Sequence, residues 1–320
     1  MAKGPADWAN VLYSAWATRR TVVLTATGAA DAGQVRAMSA TTEHQIPPRQ
    51  AALEAGRPVL RGGAAVYWLS GLLAATVVVT CSLTFLVPGV LRGTAVMNGS
   101  GRGTALVMLL LGVPVLATSM WLAWAGSARA VLSWLGAAAF MLYNSVMLLF
   151  ATPFNRLFLL DVAMLALAAW SAGVLLWRTD VAGLGRRFTG RAPARAVAVY
   201  VWVIVTLNTL VWLGRIVPAL TSGGQAAFLR GTGLTTSPGY IQDLALWLPL
   251  IAVAAAWLWR RRAWGFLIIG AALVMWVLED AAIAVDQWYG RGRLGSHGGR
   301  AIGMIPTPMR AVNDCIHHTR

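Results

Sequence analysis

The stretch that decides the fold is MLYNSVMLLFATPFNRLFLLDVAMLALAAWSAGVLLW, residues 141–177. Two apolar runs flank a six-residue polar break, Ala151 to Arg156, that contains Pro153 and Asn155. About 20 apolar residues of helix cross the roughly 30 Å of bilayer hydrocarbon, and each run is long enough to do so. Proline cannot continue a helix, and the polar groups of the break prefer water. The stretch therefore reads as a transmembrane hairpin.

Working outward, the same pattern recurs. Apolar windows span Ala64–Val87, Thr104–Ala125, Ala130–Phe150, Leu157–Trp177, Ala196–Pro218, Ile241–Trp259 and Ala263–Val285. The expected fold is an all-α membrane protein, a bundle of about seven transmembrane helices at residues 62–288. Composition agrees: of 320 residues, 58% are hydrophobic and only 12% charged, against about 25% charge in soluble domains. Many of the 16 Trp lie near window ends, among them Trp68, Trp121, Trp124, Trp177 and Trp264, as an interfacial belt requires. No repeat of 20–50 residues and no inverted repeat is evident.

The windows are flanked by two polar segments. Residues 1–61 read as a flexible N-terminal arm, with Met38 as the expected true start, a point that intact-mass measurement decides. Residues 289–320 read as an irregular basic tail, and a shifted reading frame after Gly290 would account for its Arg-Gly-rich character; resequencing tests that.

The net charge is +15, and every basic residue except Lys3 is Arg. No clustered Arg accompanies a soluble fold, so nucleic acid is not an expected partner. The expected partners are the lipid bilayer and anionic headgroups beside Arg-rich loops, with the small-molecule ligand left open. Arg129, Arg178, Arg186, Arg187, Arg191, Arg195, Arg260, Arg261 and Arg262 fall in one set of alternate connections. Arg92, Arg102, Arg156 and Arg230 fall in the other. The positive-inside rule then gives a multi-pass inner (plasma) membrane protein with a cytoplasmic N-terminus.

No motif for nucleophilic catalysis, phosphate cradling, dinucleotide binding or zinc is present, so no catalytic residue, metal or cofactor is expected. Gly99-Ser100-Gly101-Arg102-Gly103 reads as a flexible loop before the second span. The candidate site is instead a set of polar residues inside windows: Asn144, Asp161, Arg215, Asp243, Glu279 and Asp280. The orientation puts all of them in the outer third of their helices. Polar groups at such depth face a bundle interior or water. Arg215 is expected to pair with Asp243 or Asp161.

Several stretches carry a resemblance: Gly101-Arg102-Gly103-Thr104 before LVMLLLGVPVL, Tyr143-Asn144, Phe154-Asn155-Arg156-Leu157-Phe158-Leu159-Leu160, Asp243 with Leu248-Pro249, and Arg260-Arg261-Arg262 before Trp264-Gly265. Over residues 64–288 the chain resembles a family of uncharacterised bacterial multi-pass membrane proteins. The resemblance implies a helical membrane fold and no activity. It also implies tyrosine where this chain has Asp161, and a further apolar span after the seventh.

The expected function is a non-enzymatic integral membrane protein. It would be either a structural or interaction component or a transporter-like one with an externally open polar cavity. The alternative is an intramembrane enzyme acting on lipid or lipid-linked substrates through a carboxylate base. That alternative needs a second chemical group, and the expectation is that no outer third offers His, Cys or Lys, although Cys81 lies in the last third of its window.

Overall fold

The computed structural model describes residues 59–60, 62–188, 192–221, 224–230 and 232–291. The N-terminal arm, the Met38 start and the altered frame after Gly290 concern residues outside these. Among the described residues, seven helices are long and apolar enough to cross a membrane, and the only β contact is an isolated bridge between Leu60 and Thr179. The protein is a multi-pass helical membrane protein.

The elements are α1 (Ala64–Leu86), α2 (Ala95–Trp124), α3 (Ala128–Phe150), α4 (Phe158–Arg178), the short α5 (Val181–Phe188), α6 (Ala194–Thr221), α7 (Pro238–Trp259) and α8 (Ala263–Arg291). Thr94, Ser127 and Ser237 cap α2, α3 and α7, each accepting from the backbone N–H three residues on. The break in the opening hairpin is an Asx turn. Asn155 Oδ1 accepts from Leu157 N at 2.8 Å, and its amide donates to Pro153 O at 3.0 Å.

The end of the bundle where α1, α3, α6 and α8 begin is rich in arginine, and is called proximal below. There Arg178 donates to Gly62 O at 2.9 Å, and Arg195 lies over the Trp259 ring. The opposite, distal end carries the intramembrane carboxylates.

The structure corrects the second span, which starts at Ala95 and not at Thr104. Gly99–Gly103 is helix, and the glycines serve packing. A Cβ at Gly99 would lie 2.8 Å from Tyr289 O, and one at Gly103 would lie 2.5 Å from Asp286 Cα. Small residues four apart let backbones approach where lipid supplies no hydrophobic drive between helices. Likewise α8 continues through Arg291, past the end expected from hydropathy.

A long internal repeat is also present, at the spacing of 135 positions that separates Asn144 from Glu279. Helices α2 and α7 each contain one π-helical turn, Met108–Gly112 and Asp243–Trp247. Pro114 and Pro249 follow each at the same remove. A proline ring clashes with the carbonyl four residues back, and each wide turn lies over that carbonyl (Leu110, Ala245) and eases the clash. The next turns also match. Ala125 and Arg260 close them at φ −73°, ψ 5° and φ −82°, ψ 8°. Gly126 and Arg261 both follow at positive φ, 87° and 54°. Ser127 N→Leu122 O is matched by Arg262 N→Trp257 O. The buried faces agree in phase as well: Val66, Ser70 and Val77 of α1 correspond to Val201, Val205 and Trp212 of α6.

The halves α1–α2–α3 and α6–α7–α8 therefore repeat with the same direction through the bundle. They meet where α3 crosses α8, residue against its own counterpart. A Cβ on Gly136 would lie 2.5 Å from Ala271 O, Phe140 and Met275 are both buried, and Asn144 bonds Glu279. Contacts between equivalent residues are what a two-fold axis produces. The repeat is of the parallel kind, both halves running in the same direction. Helix α4 packs on α1 and α3 of the first half.

Candidate functional site

At the crossing of α3 and α8, about two helical turns above Gly136 and Ala271, Asn144 is 3% exposed. Its side-chain amide donates to Glu279 Oε2 at 2.8 Å and to Phe140 O at 3.0 Å. A carboxylate in this setting needs donors in place of water. The amide supplies one from the opposite half of the molecule.

Beside this pair stands Asp243, the first residue of the π turn in α7. Trp212 Nε1 of α6 donates to Asp243 Oδ2 at 3.0 Å, and Tyr143 of α3 is near enough to feel the same carboxylate electrostatically. The wide turn is what presents Asp243 and Trp247 together: the Trp247 ring lies 6.2 Å from Tyr143, and its indole N–H donates to Gln242 Oε1 at 3.4 Å. Gln242 in turn donates to Tyr143 O at 3.5 Å. Asp243 and Asp286 are both near enough to act electrostatically on Glu279, and Asp286 accepts from Ser100 Oγ at 3.1 Å. Three carboxylates from α7 and α8 thus share one region with two aromatic donors and two amides.

Of the residues expected from sequence, Asn144, Asp243 and Glu279 come together. Arg215 lies next to them but pairs with neither Asp243 nor Asp161. Its Nη1 donates to Tyr240 Oη at 3.2 Å, and the Tyr240 ring packs 4.4 Å from Trp212. The azimuth of Arg215 directs its guanidinium to a phenol. Asp280 follows Glu279 by one residue, and so by about 100° of helix rotation, and it is exposed. Asp161 is 1% exposed but sits apart, on α4 against α1. The single expected cluster is therefore two separate places.

Sequence reasoning missed Tyr240, Gln242, Trp212 and Ser100, because uncharged polar and aromatic residues in apolar windows look like belt or core. The signal that could have found Trp212 and Tyr240 is their position three residues from Arg215 and Asp243, on the same helix faces. Two cavities lie at the proximal end, far from this cluster. One of about 420 Å³ is lined by Tyr67, Trp68, Met120 and Trp124, and one of about 200 Å³ by Val66, Gly126 and Arg178. Among the described residues no group of three or more His, Cys, Asp or Glu is placed to hold a metal ion. No family model, no curated protein and no solved structure matches the chain.

Proposed function

We propose that this protein is a non-enzymatic, transporter-like membrane protein that binds a proton or a small cationic solute between its halves. The observation that carries the reading is the Asn144–Glu279 hydrogen bond, a carboxylate held across the axis that relates the two halves. Parallel-repeat transporters bind at the repeat interface and alternate access by rocking one half against the other. In this protein such rocking parts Asn144 from Glu279 and opens the distal cluster to one side. Asp243 and Asp286 make the opened space attractive to cations.

Current on a solid-supported membrane tests this, using proteoliposomes challenged with jumps in pH, sodium or choline. Wild-type protein should give a current with at least one of these, and Glu279→Gln should lose it while keeping its elution profile. Silence toward all three, or an unchanged current in Glu279→Gln, overturns the reading.

The proposed setting is the inner membrane, with the arginine-rich proximal end in the cytoplasm beside anionic headgroups. Reporters active only in the cytoplasm should work when fused after Arg187 and Arg262. Periplasm-type reporters should work after Gly89, Asn155 and Arg230. Reversal at two of the five sites would exclude this orientation.

A further inference from the structure

Asp161 is a second enclosed carboxylate of the distal end, 1% exposed, and its surroundings differ from those of Glu279. Its Oδ1 has no hydrogen-bond partner, and the same is true of Thr80 Oγ1 and Thr84 Oγ1. All three residues are at most 1% exposed.

Their proximity follows from helix register. Ser70 of α1 and Ser171 of α4 share a hydrogen bond of 2.5 Å, and Trp134 Nε1 donates to Ser70 Oγ at 2.9 Å. From that pin the antiparallel helices advance together at about 1.5 Å per residue. Ten residues on from Ser70 is Thr80, and ten back from Ser171 is Asp161, so the two stand opposite at one height. Thr84 lies one turn above Thr80 on the same face. Asp161 also acts electrostatically on Cys81, the neighbour of Thr80 on α1.

The threonines are unusual in a second way. A helical Ser or Thr commonly turns its hydroxyl back to the carbonyl of the preceding turn. Thr76, Thr118, Ser145, Thr179 and Thr209 all do so here. Thr80 and Thr84 do not, which leaves their oxygens free to accept. Arg102, a cation at this end of the bundle, is turned to Phe85 O at 2.6 and 2.9 Å.

We propose that Asp161, Thr80 and Thr84 form a binding site for a hard monovalent cation of the sodium class, enclosed between α1 and α4. Carboxylate and hydroxyl oxygens are the ligands such ions prefer. One carboxylate balances one positive charge, which brings the net charge of the site to zero inside the bilayer. A divalent ion would leave an excess charge there. A water molecule could satisfy the hydroxyls but would not neutralise the acid. A proton would neutralise the acid but give a donor to only one hydroxyl. The second half is built differently at this point: the counterpart of Thr80 is Arg215, where a covalent cation stands in the place of a hydroxyl.

Thermal unfolding of the full chain in detergent, followed by tryptophan fluorescence, tests the site. Sodium, potassium and choline chlorides are compared at one ionic strength. A ligand that binds only the native state raises the midpoint with the logarithm of its concentration. The wild-type midpoint should rise by several degrees between 1 and 300 mM sodium, and not with choline. Asp161→Asn should abolish the rise. The near-isosteric Thr80→Val and Thr84→Val should each move the half-effective sodium concentration up about tenfold, so the test survives poor folding of the Asp161 variant. Glu279→Gln should keep the response, which separates this site from the one between the halves. Equal midpoints in all three salts would mean that a proton alone neutralises Asp161, and would overturn the proposal. So would a sodium response that persists when Asp161→Asn is combined with Glu279→Gln.

Discussion

Gly136→Val should lower the unfolding midpoint in detergent by about 10 °C or more, or prevent recovery of folded protein. At this glycine a Cβ would come within 2.5 Å of Ala271 O and 2.7 Å of Val274 Cβ. The first of these is backbone, so no rotamer change relieves it, and α3 and α8 must separate. Overpacking a core with side chains that can adjust costs about 1–3 kcal/mol, and each kcal/mol moves the midpoint of a chain this size by roughly 2–4 °C. Separation of the central helices also stretches the Asn144–Glu279 bond above it. Gly71→Val and Gly173→Val are the controls, since a Cβ at either has nothing within 4 Å. Both should stay within about 2 °C of wild type. A Gly136→Val protein as stable as these controls would show that the two halves do not meet at this crossing.

The second large effect concerns the amide. Asn144→Leu keeps the volume and removes the donor, leaving Glu279 without its 2.8 Å partner. A buried group stranded in this way costs about 1–3 kcal/mol, and more when it is charged. Glu279→Leu alone should be close to neutral for stability, because a well-packed apolar residue replaces a demanding one. The double variant should then recover most of the Asn144→Leu loss. A double-mutant cycle measures this coupling directly. Losses that simply add would mean that the two side chains act independently in the membrane. Every variant lacking the carboxylate should also be silent in the current assay, whatever its stability.

Much of the architecture was legible in sequence. Window length and the Pro153–Asn155 break place seven spans, because crossing hydrocarbon leaves few other solutions. The unread parts have a common cause: hydropathy reports depth and says nothing of azimuth. It placed Arg215 level with Asp243 and Asp161, and could not show that the side chain turns to Tyr240. It valued Asp161 and passed over Thr80 and Thr84, which lack charge. The repeat escaped for a related reason. Its signature is carried by backbone, by two π turns and two reversed turns, with Gly126 and Arg261 in the same left-handed conformation. Pro114 and Pro249 were visible, but as separate helix interruptions. Lipid-facing positions accept any apolar residue, so two halves can keep one shape with little shared sequence.

The axis has a consequence for charge. Two copies of the first half assembled on it would set amide against amide at position 144, with no ionisable group at the centre. Two copies of the second would set acid against acid at 279, and their repulsion inside hydrocarbon would force the partners apart or keep them protonated. A homodimer of either half is confined to those outcomes, since symmetry presents identical side chains to each other. Joining two unlike halves in one polypeptide frees the centre from that constraint. It allows a single acid to be faced by the one neutral donor that holds it.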